Sequence, residues 1–172
     1  MHIIVLDYDI GSGFLFGTIN LKKLITSLII PLGVGFLSSI LTKNSMDIYG
    51  QINQPPLAPP GSVFPIVWTI LFVLMGISLY LVRTTKGDQT IKNRGYIFYG
   101  LQLLFNFLWS IAFFNLRLYC FTAFWLGALI ILIAINIYYF SKINKVAGWL
   151  LVPYILWCAF ALYLNIGICI LN

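Results

Sequence analysis

Glutamate is absent from this 172-residue chain, and histidine occurs once, at His2. The only acids are Asp7, Asp9, Asp47 and Asp88. Charged residues make up 8% of the chain, against about 25% in an ordinary soluble domain. A water-facing exterior cannot be built from that supply. No Asp, Lys, Arg or His falls inside any of the five long apolar runs described below. That excludes, at membrane depth, the base–nucleophile pairs and metal-ligand sets of hydrolases and metalloenzymes. It also removes the embedded carboxylate that a proton-coupled transporter keeps. No cofactor or metal site is expected. Cysteine is scarce too: Cys120, Cys158 and Cys169 all lie in apolar runs, at spacings that fit no zinc motif. Their odd number argues against a disulfide framework, and they read as small packing residues.

What the chain does have is 61% hydrophobic residues. A membrane-spanning helix needs about 20 mostly apolar residues, and five stretches qualify: 24–41, 63–82, 95–115, 118–140 and 146–172. The fold class expected is therefore an all-α membrane protein, a single bundle of five transmembrane helices over residues 22–172. Arg117 alone separates the third run from the fourth, which demands a very tight turn. Residues 1–21 read as an N-terminal extension, poorly ordered and without an assigned role. No basic segment precedes an apolar core there, as a signal peptide requires.

The net charge of +6 comes from residues lying between the runs. They form no nucleic-acid patch and fit a juxtamembrane bias toward anionic headgroups. Lys22, Lys23, Arg83, Lys86, Lys92, Arg94, Lys142 and Lys145 fall on one side, Lys43 and Arg117 on the other. The positive-inside rule then places the N-terminus inside a cell membrane and the C-terminus outside.

The loop 43–62, on the outer side, contains Pro55, Pro56, Pro59 and Pro60, and Pro65 opens the second run. Proline fixes φ and removes a backbone donor, so this loop is stiff and needs few partners near the membrane. Gly61 and Ser62 read as a turn and an N-cap. Pro65 falls in a first helical turn, where proline is tolerated, whereas Pro31 and Pro153 interrupt helical ladders.

The embedded polar groups are neutral. Gln102, Asn106, Trp109, Ser110 and Phe113 share one face of the third helix by helical spacing. Tyr154, Trp157, Ala161, Asn165 and Ile168 share a face of the fifth, and Phe64, Trp68, Leu71 and Met75 a face of the second. Each face alone is an ordinary helix-packing surface. Together, if they converge, they form an aromatic cavity with a few neutral hydrogen-bonding groups, suited to a flat, largely apolar ligand.

Three segments carry a resemblance: QPPLAPPGSVFPIVWTILFVLMGISLYLV, LQLLFNFLWSIAFF and LLVPYILWCAFALYLNIGICILN. In this order they resemble the translocator protein family, also called the tryptophan-rich sensory protein or peripheral benzodiazepine receptor family. The resemblance covers about residues 22–172. It implies a five-helix bundle, commonly a homodimer in contact with membrane lipids. The bundle's cavity would open toward the first loop, which lies over it as a lid. It implies a ligand such as protoporphyrin, with light-dependent protoporphyrin degradation or lipid and sterol carriage as alternatives. Carried onto this chain, the cavity tryptophans correspond to Trp68 and Trp157, the lid tyrosine to Tyr49, and the third-helix amide to Asn106 beside Trp109. The small residue that modulates affinity corresponds to Ala161. Ile48 and Leu57 stand where many members have lid tryptophans.

Overall fold

The computed structural model describes residues 19–43 and 49–172. Most of the N-terminal extension and residues 44–48 of the loop lie outside the described residues. The described chain forms α1 (Leu21–Thr42), α2 (Val63–Thr84), α3 (Gln89–Ser110), α4 (Tyr119–Ile143), α5 (Lys145–Trp149) and α6 (Val152–Leu171). A π-helical segment, Ile111–Asn115, prolongs α3, and α5 and α6 together make one span. Five helical spans are long and apolar enough to cross a bilayer, and no strand occurs among the described residues. The 22 residues of α2 reach about 33 Å at about 1.5 Å per residue, enough for a hydrocarbon core of about 30 Å.

Helix starts are marked by side chains that satisfy the otherwise unbonded amides of a first turn. Asn20 accepts from the Lys23 amide (3.0 Å), Asp88 from Ile91 (2.9 Å) and Asn144 from Ala147 (3.2 Å). Ser62 departs from its expected role: its backbone is already helical and its hydroxyl makes no capping bond. Pro153 sits in the first turn of α6, just after the chain bends at Leu150–Leu151 between the two helices of the last span. The turn from α3 to α4 is closed by bonds from the Leu116 amide to Ile111 O and from Leu118 to Ala112 O, each 3.1 Å. Arg117 takes a left-handed φ of 55° to make it.

Lipid-facing and inward-facing surfaces are both apolar here, so shape and scattered hydrogen bonds fix the helix pairs. Gly76 lets α2 approach α1 closely: a Cβ there would lie 2.8 Å from the Leu28 Cα. Near the opposite end from the loop, the Arg83 guanidinium donates to Thr26 Oγ1 and Ser27 Oγ, both at 2.8 Å. Ser78 Oγ donates to Ala147 O (2.7 Å), and Asn136 Nδ2 donates to Gly95 O (2.9 Å). Such bonds contribute on average about 0.6 kcal/mol each in membranes, so the apolar interlock of Met75, Leu126, Leu129, Ile133 and Phe140 carries the core.

The cysteine expectation is overturned in part. Cys120 and Cys169 form a disulfide with Cα atoms 4.9 Å apart. The two helices run antiparallel, so the first turn of α4 meets the last turn of α6. A sequence separation of 49 residues hides this adjacency. Cys158 alone is free and buried, as a packing residue is.

Leu57 also has a left-handed backbone, φ 67°, with its side chain 82% exposed. That conformation costs a non-glycine residue about 1–2 kcal/mol, while glycine adds about 0.5–1 kcal/mol of lost entropy on folding. Leu57→Gly is therefore expected to stabilise the protein slightly, by under about 1 kcal/mol. A lower melting temperature in detergent would contradict this.

Candidate ligand cavity

Three helices enclose the main cavity, of about 460 Å³. Its α1 wall is Leu32, Gly35, Phe36, Ser38, Ser39 and Thr42, and its α2 wall is Phe64, Pro65, Trp68, Thr69 and Phe72. From α3 and its π-helical end come Asn106, Trp109, Ser110 and Phe114. The wall carries six aromatic rings, neutral hydroxyls and one amide, and no charged residue. The volume falls in the usual range for small-molecule pockets, about 300–1,000 Å³. Exposed wall residues are Phe36 and Ser39 on α1 and Pro65 and Thr69 on α2, all toward the loop end of the helices.

Hydrogen bonding divides the polar wall into two kinds of group. Thr42 donates to Ser38 O (2.9 Å), Thr69 to Pro65 O (2.8 Å) and Ser110 to Asn106 O (3.3 Å). Their hydroxyl protons are thus committed to their own helices, as is common for Ser and Thr in helix interiors. Ser38 Oγ is buried with no partner among the described residues. Asn106 Nδ2 donates to Tyr154 Oη at 3.4 Å.

A second, much smaller void of about 20 Å³ lies behind Phe64, Trp109 and Phe114, which border both spaces. Tyr49, Phe113, Ala161, Leu164, Asn165 and Ile168 complete its wall. The proposed site residues are thus divided by structure. Phe64, Trp68, Asn106 and Trp109 line the main cavity, whereas Tyr49, Phe113, Ala161 and Asn165 line the void. Tyr154 is fully buried behind Trp68, ring centroids 6.0 Å apart. Trp157 lies behind Phe64, centroids 5.9 Å apart, and its buried Nε1 has no partner among the described residues. Gln102 is fully buried one turn below Asn106, and neither of its amide atoms has a partner among the described residues.

Trp109 is fixed rather than free. It stacks on Phe113 at 5.3 Å, and its Nε1 donates to Asn165 Oδ1 at 3.1 Å. Asn165 Nδ2 in turn donates to Tyr119 O at 2.7 Å. The π-helical end of α3 supports this arrangement by presenting Phe113 and Phe114 to the void, and π-helical turns often occur at functional sites.

The loop is seated on α6. Asn53 N donates to Asn172 Oδ1, and Asn172 Nδ2 donates back to Asn53 O, both at 3.0 Å. Tyr163 Oη donates to Pro56 O at 2.9 Å, and Pro55 packs where Gly167 leaves no room for a Cβ. Pro60 O accepts from the Val63 amide at 3.0 Å, closing the turn into α2, and Pro59 is half-buried. Tyr49 is buried edge-on to Phe64, centroids 5.0 Å apart, while the Gln54 amide donates to its carbonyl. Burial pushes the Tyr49 phenol above its ordinary pKa, so it stays neutral at physiological pH.

A family model described as the TspO/MBR family matches residues 27–171. The chain belongs to the TspO/MBR family. It is 37% identical to the tryptophan-rich protein TspO of Chlorobaculum tepidum, over 82% of this chain and 90% of that one. It is 36% identical to the TspO protein of Archaeoglobus fulgidus, over 89% of this chain and 99% of the other. With the translocator protein of Ovis aries the identity is 27%, over 80% and 82% of the two chains. This TspO/MBR member is a multi-pass membrane protein, with five helical spans.

None of the site residues expected from the sequence lies on α1, yet α1 supplies one whole wall. A signal was present: Gly35, Ser38, Ser39 and Thr42 recur at helical spacing as small or hydroxyl residues. Gly35 in particular lets the Phe72 ring lie against the α1 backbone, 2.3 Å from where a Cβ would stand.

Proposed function

We propose that this protein is a membrane receptor for a flat, largely apolar tetrapyrrole such as protoporphyrin, bound between α1, α2 and α3. The observation that carries the reading is the composition of the cavity wall. Six aromatic rings offer stacking surface, Asn106 and Ser38 offer neutral hydrogen bonds, and no charge has to be neutralised. A ligand carboxylate finds no cation on this wall. It would face the exposed rim at Ser39 and Thr69, toward headgroups and water. The protein would sit in the plasma membrane, and the basic residues between the spans favour the loop end outside.

Titration of protoporphyrin into the purified protein, followed by tryptophan quenching, tests this. Trp68→Leu removes a ring from the wall and is expected to weaken binding several-fold, up to about tenfold, since aromatic contacts contribute about 0.5–1.5 kcal/mol beyond area burial. Trp157→Leu, behind Phe64, is expected to have a smaller effect. Unchanged affinity in both Trp68→Leu and Asn106→Leu would overturn the site.

A further inference from the structure

We infer that Cys120 and Cys169 are a thiol–disulfide modification site that governs how firmly the proline loop is held. The pair sits at the loop end of the bundle, where the first turn of α4 meets the last turn of α6. The loop is fastened to this same last turn. Two hydrogen bonds join Asn53 to the side chain of Asn172, and a third runs from Asn53 Nδ2 to Leu171 O at 3.3 Å. Both anchor residues lie within three positions of Cys169.

Apart from the disulfide, the end of α6 is tied to α4 by the bond from Asn165 Nδ2 to Tyr119 O, a full turn before Cys169. Helix ends fray when nothing holds them. Ile170, Leu171 and Asn172 are exposed, so packing does little to restrain them. Within the turn, the Asn172 amide and Nδ2 donate to Ile168 O at 3.1 and 2.9 Å, and the disulfide is the covalent restraint that fixes this turn to α4 and so keeps Asn172 in register with Asn53. Releasing it lets the last turn open and loosens residues 49–54, while Pro55 and Pro56 stay seated on Gly167 and Tyr163. Tyr49 then no longer braces Phe64, one of the rings shared by the cavity and the small void.

The chemistry is ordinary exchange with a dithiol reductant. Cys120 is exposed and Cys169 is half-buried, so a reductant thiolate reaches Cys120 Sγ first. A mixed disulfide forms at Cys120, and Cys169 leaves as a thiolate that takes up a proton. The reductant's second thiol closes its own disulfide and releases Cys120. Two electrons and two protons pass to the protein, and the reductant is oxidised by the same amount. Cys158 is fully buried and stays outside this exchange.

The test needs no ligand, so it stands apart from the tetrapyrrole reading. Purified full-length protein in lipid nanodiscs is denatured and alkylated with and without prior reduction, then weighed by mass spectrometry. One alkylation without reductant and three with it are expected. Three without reductant would overturn the pairing. Native hydrogen exchange is then followed at residues 49–54 and 168–172, with and without a phosphine reductant. Exchange in both segments is expected to quicken together by about tenfold on reduction, equivalent to about 1.4 kcal/mol of lost protection. The Cys120→Ser/Cys169→Ser variant should match the reduced protein and ignore the reductant. Exchange that quickens only in residues 168–172, or in neither segment, would overturn the coupling. If the double variant fails to fold, reduction of the unaltered protein decides.

Discussion

Gly76→Leu is expected to be the most disruptive single substitution among the described residues. A Cβ at this position would lie 2.8 Å from both the Cα and the Cδ2 of Leu28, and 3.1 Å from Ser27 O. Two of those neighbours are backbone, so no rotamer change relieves the clash. The helix α1 must move away from α2. Inserting bulk into a well-packed core costs about 1–3 kcal/mol even where side chains can adjust, so leucine against a backbone should reach at least the top of that range. The loss spreads, because α1 is also one wall of the cavity and holds Thr26 and Ser27 against Arg83. Thermal unfolding in detergent should show a large drop, and protoporphyrin binding should fall in the protein that remains folded. Gly33→Leu is the control, since nothing lies within 4 Å of a Cβ there. Equal melting temperatures for the two variants would refute the close-approach argument.

Asn165→Leu should come next. Asn165 is almost fully buried and bridges two helices, accepting from Trp109 Nε1 and donating to Tyr119 O. Leucine matches it roughly in volume but leaves the indole N–H without an acceptor. A buried polar group so orphaned costs about 1–3 kcal/mol. Trp109 is also released from its stacked position on Phe113, next to the cavity. Both stability and ligand affinity are therefore expected to fall. A double-mutant cycle with Trp109→Phe separates the two effects, because removing the donor should make the second change far less costly. Fully additive losses in stability would mean that the Trp109–Asn165 bond contributes nothing.

The number of spans and their approximate places were legible in the sequence because the bilayer imposes them. Hydrocarbon about 30 Å thick demands about 20 apolar residues, and every backbone group must be satisfied within its own helix. Chain order and proline placement likewise marked the loop and the start of α2. Trp68, Asn106 and Trp109 were legible as inward-facing because tryptophan and amides stand out among aliphatic residues.

The rotation of each helix about its own axis was not legible, and it decides the site. In water, a polar face reveals which side of a helix is buried. In this chain Phe36 on the cavity rim and Ile30 toward lipid are both apolar and exposed, and nothing local separates them. Packing alone brought α1 into the wall, kept the Ala161–Asn165 face of α6 behind Phe64 and Trp109, and sealed Gln102 into the core. The disulfide was hidden for the same reason. Sequence gives Cys120 and Cys169 a separation of 49 residues, while only the antiparallel pairing of α4 with α6 sets their Cα atoms 4.9 Å apart. By itself the sequence determined a membrane bundle with a stiff loop, since solvent and chain stiffness act residue by residue. The cavity and its fastening were decided by tertiary structure, since they depend on contacts between residues far apart in the chain.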